Sequence, residues 1–577
     1  MARVLEANNH DETAESLLQQ SLEIDNTQRE VAQHYIAARQ RECKWPLIEP
    51  RERISRETLM KGISPLSLAV YTDDPVLQLA SNWHYNKCDV GSPSVGVVTS
   101  YWAACEGRKK AAPLRIGYLS SDLREHAIGF LTSELFELHD RRKVEVYAYY
   151  CGILPVDPTM ERIKKTVDHW IPIQDMDDET AARRIADDGI QILVDINGYT
   201  RDGRTKLLAL RPAPIIVNWL GFPGSTGSPY HHYIIADDWI IPPEHEIYYS
   251  EKVMRLPCYQ PNDRKRIIAP QQPTRQSAGL PEDAMVYCCF NGTQKITRFT
   301  FERWMTILNR VPNSVLWLLS GSETSQSRLR SIASSQGISP DRIIFAGKMK
   351  NAYHLARYPL ADLFLDTAPY GAHTTASDAL WMGVPILTLS GRSFASRVCG
   401  SLVRAAGLPD LACATGDEYV DRAVALGRDK EALQRYRAHL AATRDSSDLF
   451  NTPLLVSRLE EIYKEMWREF EEDRLPRPDL RNLDVYLEIG IESDHDKSEV
   501  LSAQNYRSWW RERLALRNAM RPFYPDSRLW MEEGLQASQA KVGQKNDQTH
   551  SRDLWRRFFR FASLGEAVAK RRRGAVC

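Results

Sequence analysis

The chain has 577 residues, 43% hydrophobic and 26% charged, and its 75 Lys and Arg balance its 75 Asp and Glu. This length accommodates roughly two to four domains with buried cores, and the composition is typical of soluble globular proteins. The balanced charge does not indicate general nucleic-acid binding, and no apolar run is long enough to span a membrane. The ten cysteines form no CxxC pair and the N-terminus has no apolar leader, so we expect reduced thiols and a cytoplasmic location.

Residues 1–111 predict a helical, tetratricopeptide-like domain. Ala14, Leu18, Ser21 and Asn26 fall at the spacing of the second helix of a tetratricopeptide repeat. An array needs about three repeats to bury its faces. The pattern is therefore equally consistent with the end of a longer array and with one amphipathic helix.

Residues 112–270 predict a first α/β domain. Short runs rich in Ile and Val alternate with helix-like stretches such as TMERIKKTVDHW (159–170). This alternation indicates a parallel sheet covered by helices on both faces. The strand-like runs are 114–120, 144–150, 190–198 and 215–221.

A second α/β domain is predicted over residues 284–475, after a Pro-, Gln- and Ser-rich linker at 267–283. Its strand-like runs are 285–291, 315–321, 342–347, 363–367 and 385–391. We therefore predict two facing Rossmann-like domains hinged near 270–283. Ligands of such sheets bind in the crevice beyond the C-terminal ends of the strands.

Residues 476–577 predict a helical extension of unknown role. The stretch 553–574 has the pattern of a basic amphipathic helix. Such a helix either contacts an anionic surface or, more often, packs its aromatic side chains against the parent domain.

The segment PYGAHTTASDALWMGVP (369–385) lies where a predicted strand ends and a helix begins. The first N–H groups of a helix lack internal partners and carry partial positive charge, so His373, Thr374 and Thr375 are candidates for a phosphate site. A capping box between Thr375 and Asp378 is the simpler interpretation and is favoured on these residues alone.

Other polar residues follow predicted strands in both α/β domains. His126 could act as a base or hydrogen-bond a sugar, although a structural histidine is more common. Lys295, close to Asn291, could neutralise a diphosphate or be a solvated loop lysine. His354 and Arg357 are three residues apart and share a helix face that could carry a flat ring. The glycine-rich stretch 218–230 allows close backbone approach to a ligand or is a plain connector.

Several ordered motifs together resemble the protein O-linked N-acetylglucosaminyltransferases of glycosyltransferase family 41, and more narrowly their bacterial homologues. The motifs include RIGYLSSD (115–122), ILVDINGYT (192–200), LRPAPIIVNWLGFPGSTG (210–227), LFLDTAPYGAHTT (363–375) and FASRV (394–398). The resemblance covers about residues 112–470. It implies a GT-B fold and an inverting transfer of N-acetylglucosamine from UDP-N-acetylglucosamine to Ser or Thr hydroxyls of proteins, with no metal or other cofactor.

The resemblance also implies roles for individual residues. His126, whose role as the base is disputed in the family, and Lys295, which would stabilise the departing UDP, are the implied catalytic residues. The implied donor-binding residues are His373, Thr374 and Thr375 at the diphosphate, Asp378 at the ribose, Ala346, His354 and Arg357 at the uracil, Thr200, Leu220, Gly221 and Pro223 at the sugar, and Asn291 near Lys295.

Two positions depart from the family pattern. Gly292 stands where the animal enzymes have a polar amide, and Asn351 stands where a ribose-binding lysine is expected.

The alternative functions are a GDP-fucose-dependent O-fucosyltransferase of the SPINDLY type, a UDP-sugar epimerase, and a catalytically weak repeat adaptor. The AHTTASD and FASRV motifs favour a UDP donor, and the glycine-rich loop lacks the carboxylates that an epimerase needs.

Overall fold

The computed structural model describes residue 5 and residues 11–91, 113–153, 155–500 and 505–531. The basic amphipathic helix predicted at 553–574 lies outside the described residues. In the described part, a helical N-terminal segment is followed by two α/β domains and a helical extension.

The N-terminal segment consists of short helices with well-defined starts. Its helices are α1 (Asp11–Ile24), α2 (Arg29–Arg41), α3 (Arg56–Gly62), α4 (Pro65–Tyr71) and α5 (Pro75–Tyr85). The Asp74 side chain accepts hydrogen bonds from the Val76 and Leu77 N–H groups, and Pro75 occupies the first helical position, so α5 has a strong N-terminal cap. A buried ion pair of 3.1 Å between Glu15 and Arg39 joins α1 to α2.

The tetratricopeptide interpretation remains a prediction. Ala14 and Leu18 are buried on α1. Asn26 follows the end of that helix at Ile24, so the four residues at repeat spacing do not share one helix.

Seven parallel strands form the first sheet, in the order β3-β2-β1-β4-β5-β6-β7. The strands are β1 (Leu114–Ser120), β2 (Val144–Tyr150), β3 (His169–Pro172), β4 (Ile192–Asp195), β5 (Ile215–Asn218), β6 (Tyr233–Ala236) and β7 (Lys252–Arg255). The connecting helices are α6 (Ala127–Leu138), α7 (Pro158–Lys164), α8 (Asp178–Asp187) and α9 (Thr205–Ala209). β1, β2, β4 and β5 carry buried apolar side chains on both faces, as expected for a covered parallel sheet.

Six parallel strands form the second sheet, in the order β10-β9-β8-β11-β12-β13. The strands are β8 (Met285–Cys289), β9 (Ser314–Leu319), β10 (Ile343–Ala346), β11 (Leu363–Leu365), β12 (Ile386–Leu389) and β13 (Ala412–Cys413). The helices are α10 (Arg298–Arg310), α11 (Glu323–Ser335), α12 (Asn351–Arg357), α13 (Thr374–Trp381), α14 (Phe394–Ala405), α15 (Gly416–Arg428) and α16 (Lys430–Thr443). The predicted pair of Rossmann-like domains is confirmed.

Helix α17 (Thr452–Glu471) returns from the second domain to the first. The Tyr463 and Tyr118 hydroxyls are 2.9 Å apart, and Glu460 pairs with the buried His139 at 3.1 Å. The C-terminal part of the predicted 284–475 segment therefore packs on the sheet of the other domain.

The sequence patterns located most strands but not all of them. The runs 114–120 and 144–150 coincide with β1 and β2, whereas β3, β6, β7 and β13 were not predicted. The helix expected over 159–170 was wrong at its C-terminal end, because α7 ends at Lys164 and His169–Pro172 forms β3. This edge strand has four residues, of which only Ile171 is buried, so it lacks the buried apolar run of a central strand.

The described part of the C-terminal extension packs on the N-terminal helices. It contains α18 (Leu483–Gly490) and α19 (Tyr506–Met520). The Asp496 carboxylate accepts from the N–H groups of Leu47 and Ile48 at 2.7 and 3.0 Å, and the Tyr506 hydroxyl donates to Asp74 at 2.5 Å. The two ends of the described chain thus form one helical layer.

This helical layer contacts both α/β domains. The Asn86 amide donates to the Tyr230 hydroxyl of the first domain at 2.6 Å. In the second domain, the Asp73 carboxylate accepts from the N–H groups of Arg392 and Ser393, at the start of α14, at 2.8 and 2.9 Å. The layer therefore bridges the two domains.

Candidate active site

Lys295 lies in the loop after β8, at the C-terminal edge of the second sheet. Its ammonium donates to the Gly371 carbonyl at 2.8 Å and lies over the Tyr370 ring, 3.9 Å from the centroid. Burial lowers the pKa of Lys295 to about 8, and the Asp366 carboxylate opposes that shift. The structure thus provides a partly buried cation beside the segment that leads into α13.

Helix α13 begins at Thr374, directly after the Tyr370–His373 turn. No described residue accepts from the N–H groups of Thr374 and Thr375, so this end can receive an anion. The capping box expected between Thr375 and Asp378 is wrong. His373 occupies the cap position without a side-chain cap, and Asp378 lies in the second turn.

The His373 side chain contributes little positive charge to this helix end. Its ring stacks on Tyr370 with centroids 4.9 Å apart, and Nε2 faces the Ala395 carbonyl at 3.4 Å. Burial, reinforced by the charge of Lys295, holds the pKa of His373 well below its usual value. His373 is therefore neutral, and the charge at this edge comes from Lys295 and the helix N-terminus.

His354 and Arg357 of α12 pack against a cluster of aromatic side chains. Arg357 Nη2 lies 2.6 Å from His354 Nδ1, and the guanidinium lies 4.6 Å from the Phe290 ring centroid. Burial lowers the pKa of His354 to about 3, with a further contribution from Arg357. The shared face predicted from their spacing exists, and the two side chains contact each other. Ala346 ends β10 nearby, and its carbonyl accepts from the Ser320 N–H at 2.9 Å.

Asp378 is paired in a way that the sequence did not indicate. One of its oxygens accepts from Arg266 Nη1 at 2.8 Å, and both side chains are mostly buried. Arg266 belongs to the segment that connects the two α/β domains. Burial raises the pKa of Asp378 to about 6, and Arg266 opposes that shift.

Asn291 is held by the protein itself. Its amide nitrogen donates to Asp366 Oδ1 at 3.1 Å and to the Thr367 hydroxyl at 2.7 Å, while its buried Oδ1 has no partner among the described residues. Asp366 also accepts from the Thr367 and Ala372 N–H groups at 2.8 and 2.7 Å. Asp366 therefore organises the turn that carries Tyr370 and Gly371.

His126 caps α6 at the C-terminal edge of the first sheet. Its Nδ1 accepts from the Ile128 N–H at 3.3 Å and lies 3.7 Å from Asp122 Oδ1. The backbone N–H is directed at Nδ1, whereas Asp122 lies beyond hydrogen-bond distance. Burial lowers the pKa of His126. Neutral His126 therefore carries its proton on Nε2 and presents it as a donor.

Asn197 connects the loops after β1 and β4. Its amide nitrogen donates to Ser121 Oγ at 2.9 Å, Asp122 Oδ2 at 3.1 Å and Thr200 Oγ1 at 2.9 Å. The predicted sugar residue Thr200 is thus held in one hydrogen-bonded cluster with Asp122, the neighbour of His126.

The predicted sugar loop begins with an unusual turn. Leu220 has φ = 71°, and the Gly221 N–H donates to the Trp219 carbonyl at 2.9 Å, which forms a three-residue γ-turn. A Cβ at Gly221 would lie 2.3 Å from the Ile196 carbonyl, so glycine is required there. Buried Pro223 follows. The Glu251 carboxylate anchors the loop by accepting from the Thr226 N–H at 2.7 Å.

The predicted sugar loop of the first domain and helix α14 of the second domain approach each other at Tyr259. Its carbonyl accepts from Trp219 Nε1 at 3.3 Å, and its ring packs edge-on against Phe394, 5.1 Å between centroids. Burial, with contributions from Tyr370 and other neighbours, raises the pKa of its phenol well above the usual value. Sequence reasoning missed Tyr259, Asp366, Tyr370 and Arg266 as site residues. Only Asp366 and Tyr370 had a local signal, because they flank the strand end in LFLDTAPYGA.

Two facing Rossmann-like domains with polar residues at the C-terminal edges of both sheets define the GT-B fold. Residues 94–269 and 262–459 match glycosyl transferase family 41, and the chain belongs to that family. The resemblance stated from the motifs is confirmed.

The relatives and a solved structure are similar over most of the α/β region. The probable UDP-N-acetylglucosamine–peptide N-acetylglucosaminyltransferase SEC of Arabidopsis thaliana is 37% identical over 71% of this chain and 43% of its own length. The similarly named SPINDLY protein of that plant is 30% identical over 67% of this chain and 43% of its own length. The chain therefore spans less than half the length of either relative. A mutant of the Thermobaculum terrenum O-GlcNAc transferase superposes with a TM-score of 0.68 at 27% identity, over 81% of this chain and 90% of that one.

None of the helices in the described ranges combines the length and apolar character needed to cross a lipid bilayer. The expected cytoplasmic location remains a prediction.

Proposed function

We propose that this chain is an inverting glycosyltransferase that moves N-acetylglucosamine from UDP-N-acetylglucosamine to Ser or Thr hydroxyls of proteins. The observation that carries the proposal is the arrangement around α13. Lys295 lies beside two helix N–H groups that have no acceptor among the described residues, and His354 of α12 packs against the other side of Tyr358. Family membership and the names of the relatives agree with this donor and acceptor.

The second domain would bind the nucleotide and stabilise its negative charge. The diphosphate would lie against Lys295 and the N–H groups of Thr374 and Thr375, with the uracil against His354 and Arg357. When the bond to the sugar breaks, negative charge grows on the leaving UDP. A buried ammonium and fixed helix N–H groups stabilise such charge strongly because they need no reorganisation. We propose that these groups suffice without a metal ion.

The first domain would orient the sugar and the acceptor. Direct attack by the acceptor oxygen on the anomeric carbon forms the new glycosidic bond as the bond to UDP breaks, which inverts the configuration. The proton of the acceptor hydroxyl passes to a phosphate oxygen of the departing UDP, on which negative charge grows. Because His126 presents a proton on Nε2, we propose that it donates to the sugar or its phosphate rather than removing the acceptor proton.

The proposal is tested by binding and transfer measured on the same full-length preparations. Wild type, Lys295→Met and the remote, half-exposed control Lys61→Met are compared by calorimetry with UDP and GDP. They are then incubated with UDP-N-acetylglucosamine and Ser/Thr peptides, and the products are read by mass spectrometry.

We expect UDP-specific binding and a mass gain of one N-acetylhexosamine on peptides, both retained in Lys61→Met, with transfer lost in Lys295→Met. Binding specific to GDP would overturn the proposal in favour of fucose transfer. UDP binding with no transfer to any peptide would overturn it in favour of an adaptor.

A further inference from the structure

The Arg266–Asp378 pair joins the interdomain segment to the helix that carries the proposed phosphate site. Arg266 Nη1 donates to Asp378 Oδ1 at 2.8 Å. The other donors of Arg266 are also engaged, Nη2 with Asn262 Oδ1 at 3.3 Å and Nε with the Asp263 carbonyl at 2.9 Å. The guanidinium lies 4.7 Å from the Trp381 ring centroid. Arg266 is therefore held in one orientation.

Asp378 would lie between the two ends of a nucleotide bound as proposed above. It lies one turn beyond Thr374 on α13, and therefore on the same face as the helix start that would seat the diphosphate. On the other side, Tyr358 packs against the His354 ring, and its hydroxyl donates to the Thr375 carbonyl at 3.3 Å. A ribose that links the base to the diphosphate must pass between these two sites.

Among the described residues, a hydrogen-bond donor reaches one oxygen of Asp378 and not the other. Arg266 occupies Oδ1, and no residue in the described ranges donates to Oδ2. The side chain is 15% exposed and that of Arg266 is 8% exposed, so water reaches the carboxylate only in part. One carboxylate oxygen is thus free to accept from vicinal hydroxyls.

We propose that Arg266 is a positioning residue for the donor nucleotide: by holding Asp378 Oδ1 it directs the other carboxylate oxygen at the ribose hydroxyls. This inference rests on the proposed function. An ion pair this deeply buried costs desolvation and is weak support for stability, so a role in presenting the carboxylate accounts for it better than added stability does.

The pair also predicts how nucleotide binding depends on pH. The charged and titratable groups around it are Asp263, Tyr358 and Arg444. Burial raises the pKa of Asp378 to about 6 even with Arg266 present. Without the guanidinium, protonation would extend to higher pH, and the neutral acid is a poorer acceptor for a hydroxyl.

The test compares three variants of the full chain. Arg266→Met removes the charge and keeps much of the volume, and Arg266→Lys keeps the charge. Arg444→Met is the matched control, because Arg444 also stacks on Trp381, at 5.2 Å, without pairing to Asp378. Calorimetry measures the Kd of UDP and of 2′,3′-dideoxyuridine diphosphate across the range from about pH 5.5 to about 8.5, and thermal unfolding checks the fold.

We expect Arg266→Met to weaken UDP binding by about tenfold or more at neutral pH, the effect of one charge-assisted hydrogen bond. The pH below which UDP affinity falls should move upward in this variant. Arg266→Lys should restore part of the affinity, and Arg444→Met should change it by less than about threefold. The dideoxy nucleotide should bind wild type and Arg266→Met equally, because it lacks the hydroxyls.

An equal loss for UDP and the dideoxy nucleotide, an unchanged pH profile, or tighter UDP binding in Arg266→Met would overturn the inference. These outcomes differ from failure of the proposed function, in which wild type itself would not bind UDP. If Arg266→Met does not fold, Arg266→Lys with the dideoxy comparison still decides the question, since a weakening confined to UDP is specific to the ribose.

Discussion

The ammonium of Lys295 lies 3.9 Å from the centroid of the Tyr370 ring and donates to the next residue's carbonyl, that of Gly371. Nearby, burial keeps His373 neutral. Lys295 is thus the side-chain cation next to the start of α13, and its protonation state sets the charge there. Its pKa of about 8 means that this charge is present at neutral pH and is lost in mild base.

UDP affinity should therefore fall as pH rises through about 8. Below that pH the ammonium is already present, and above it binding must also take up a proton, so the affinity falls by up to about tenfold per pH unit. In Lys295→Met the affinity should be lower and independent of pH between about 7.5 and 9.5. Calorimetry across that range checks this, and the same slope in the variant would assign the titration to another group.

His126→Gln should retain much of the activity, and His126→Phe should not. Glutamine can place an N–H near the position of Nε2, whereas phenylalanine has no donor. We expect kcat/KM to fall by less than about tenfold in the first variant and by about a hundredfold in the second. A general base contributes about 10²–10⁴-fold, so similarly large losses in both variants would identify His126 as the base instead.

Asp366→Asn should destabilise the second domain. The carboxylate accepts from three donors on one oxygen and from the Thr388 hydroxyl at 2.7 Å on the other. An amide replaces one oxygen by a donor, which leaves buried groups unpaired at a cost of about 2–4 kcal/mol. Urea unfolding measures this, with the exposed Asp421→Asn as a control that should change stability by less than about 0.5 kcal/mol. Equal effects in the two variants would contradict the role of Asp366.

Asp74 should make the stability of the wild type depend on pH between about 4 and 6. Burial raises the pKa of its folded-state carboxyl to about 6, above the usual 3.8, despite the hydrogen bond from Tyr506. A raised pKa means that the folded protein binds this proton more tightly than the unfolded chain does. The contribution of Asp74 to the free energy of unfolding is therefore largest at low pH and falls as pH rises towards about 6.

Asp74→Asn should keep the cap of α5 and remove this dependence. Relative to the variant, the wild type should lose up to about 3 kcal/mol between pH 4 and 6. The difference between the two urea-unfolding free energies isolates Asp74 from the other carboxylates. A constant difference over this range would show that Asp74 titrates normally.

Local patterns were sufficient to predict the α/β class, two domains and the strand ends that carry polar residues. The apolar runs at β1 and β2 have the composition of buried parallel strands, and such strands are recognisable because both of their faces are apolar. The edge strand β3 and the two-residue β13 lack that signal, since their pairing depends on a neighbouring strand already being in place.

The sequence by itself determined which residues stand at the strand ends, including Lys295 and the His373–Thr375 segment between a strand and a helix. Only the tertiary structure decided what surrounds them. Arg266 reaches Asp378 across 112 positions of the chain, and Lys295 reaches the Gly371 carbonyl across 76 positions. Such partners carry no local pattern, because long-range packing and burial, rather than neighbouring residues, select each contact and set each charge.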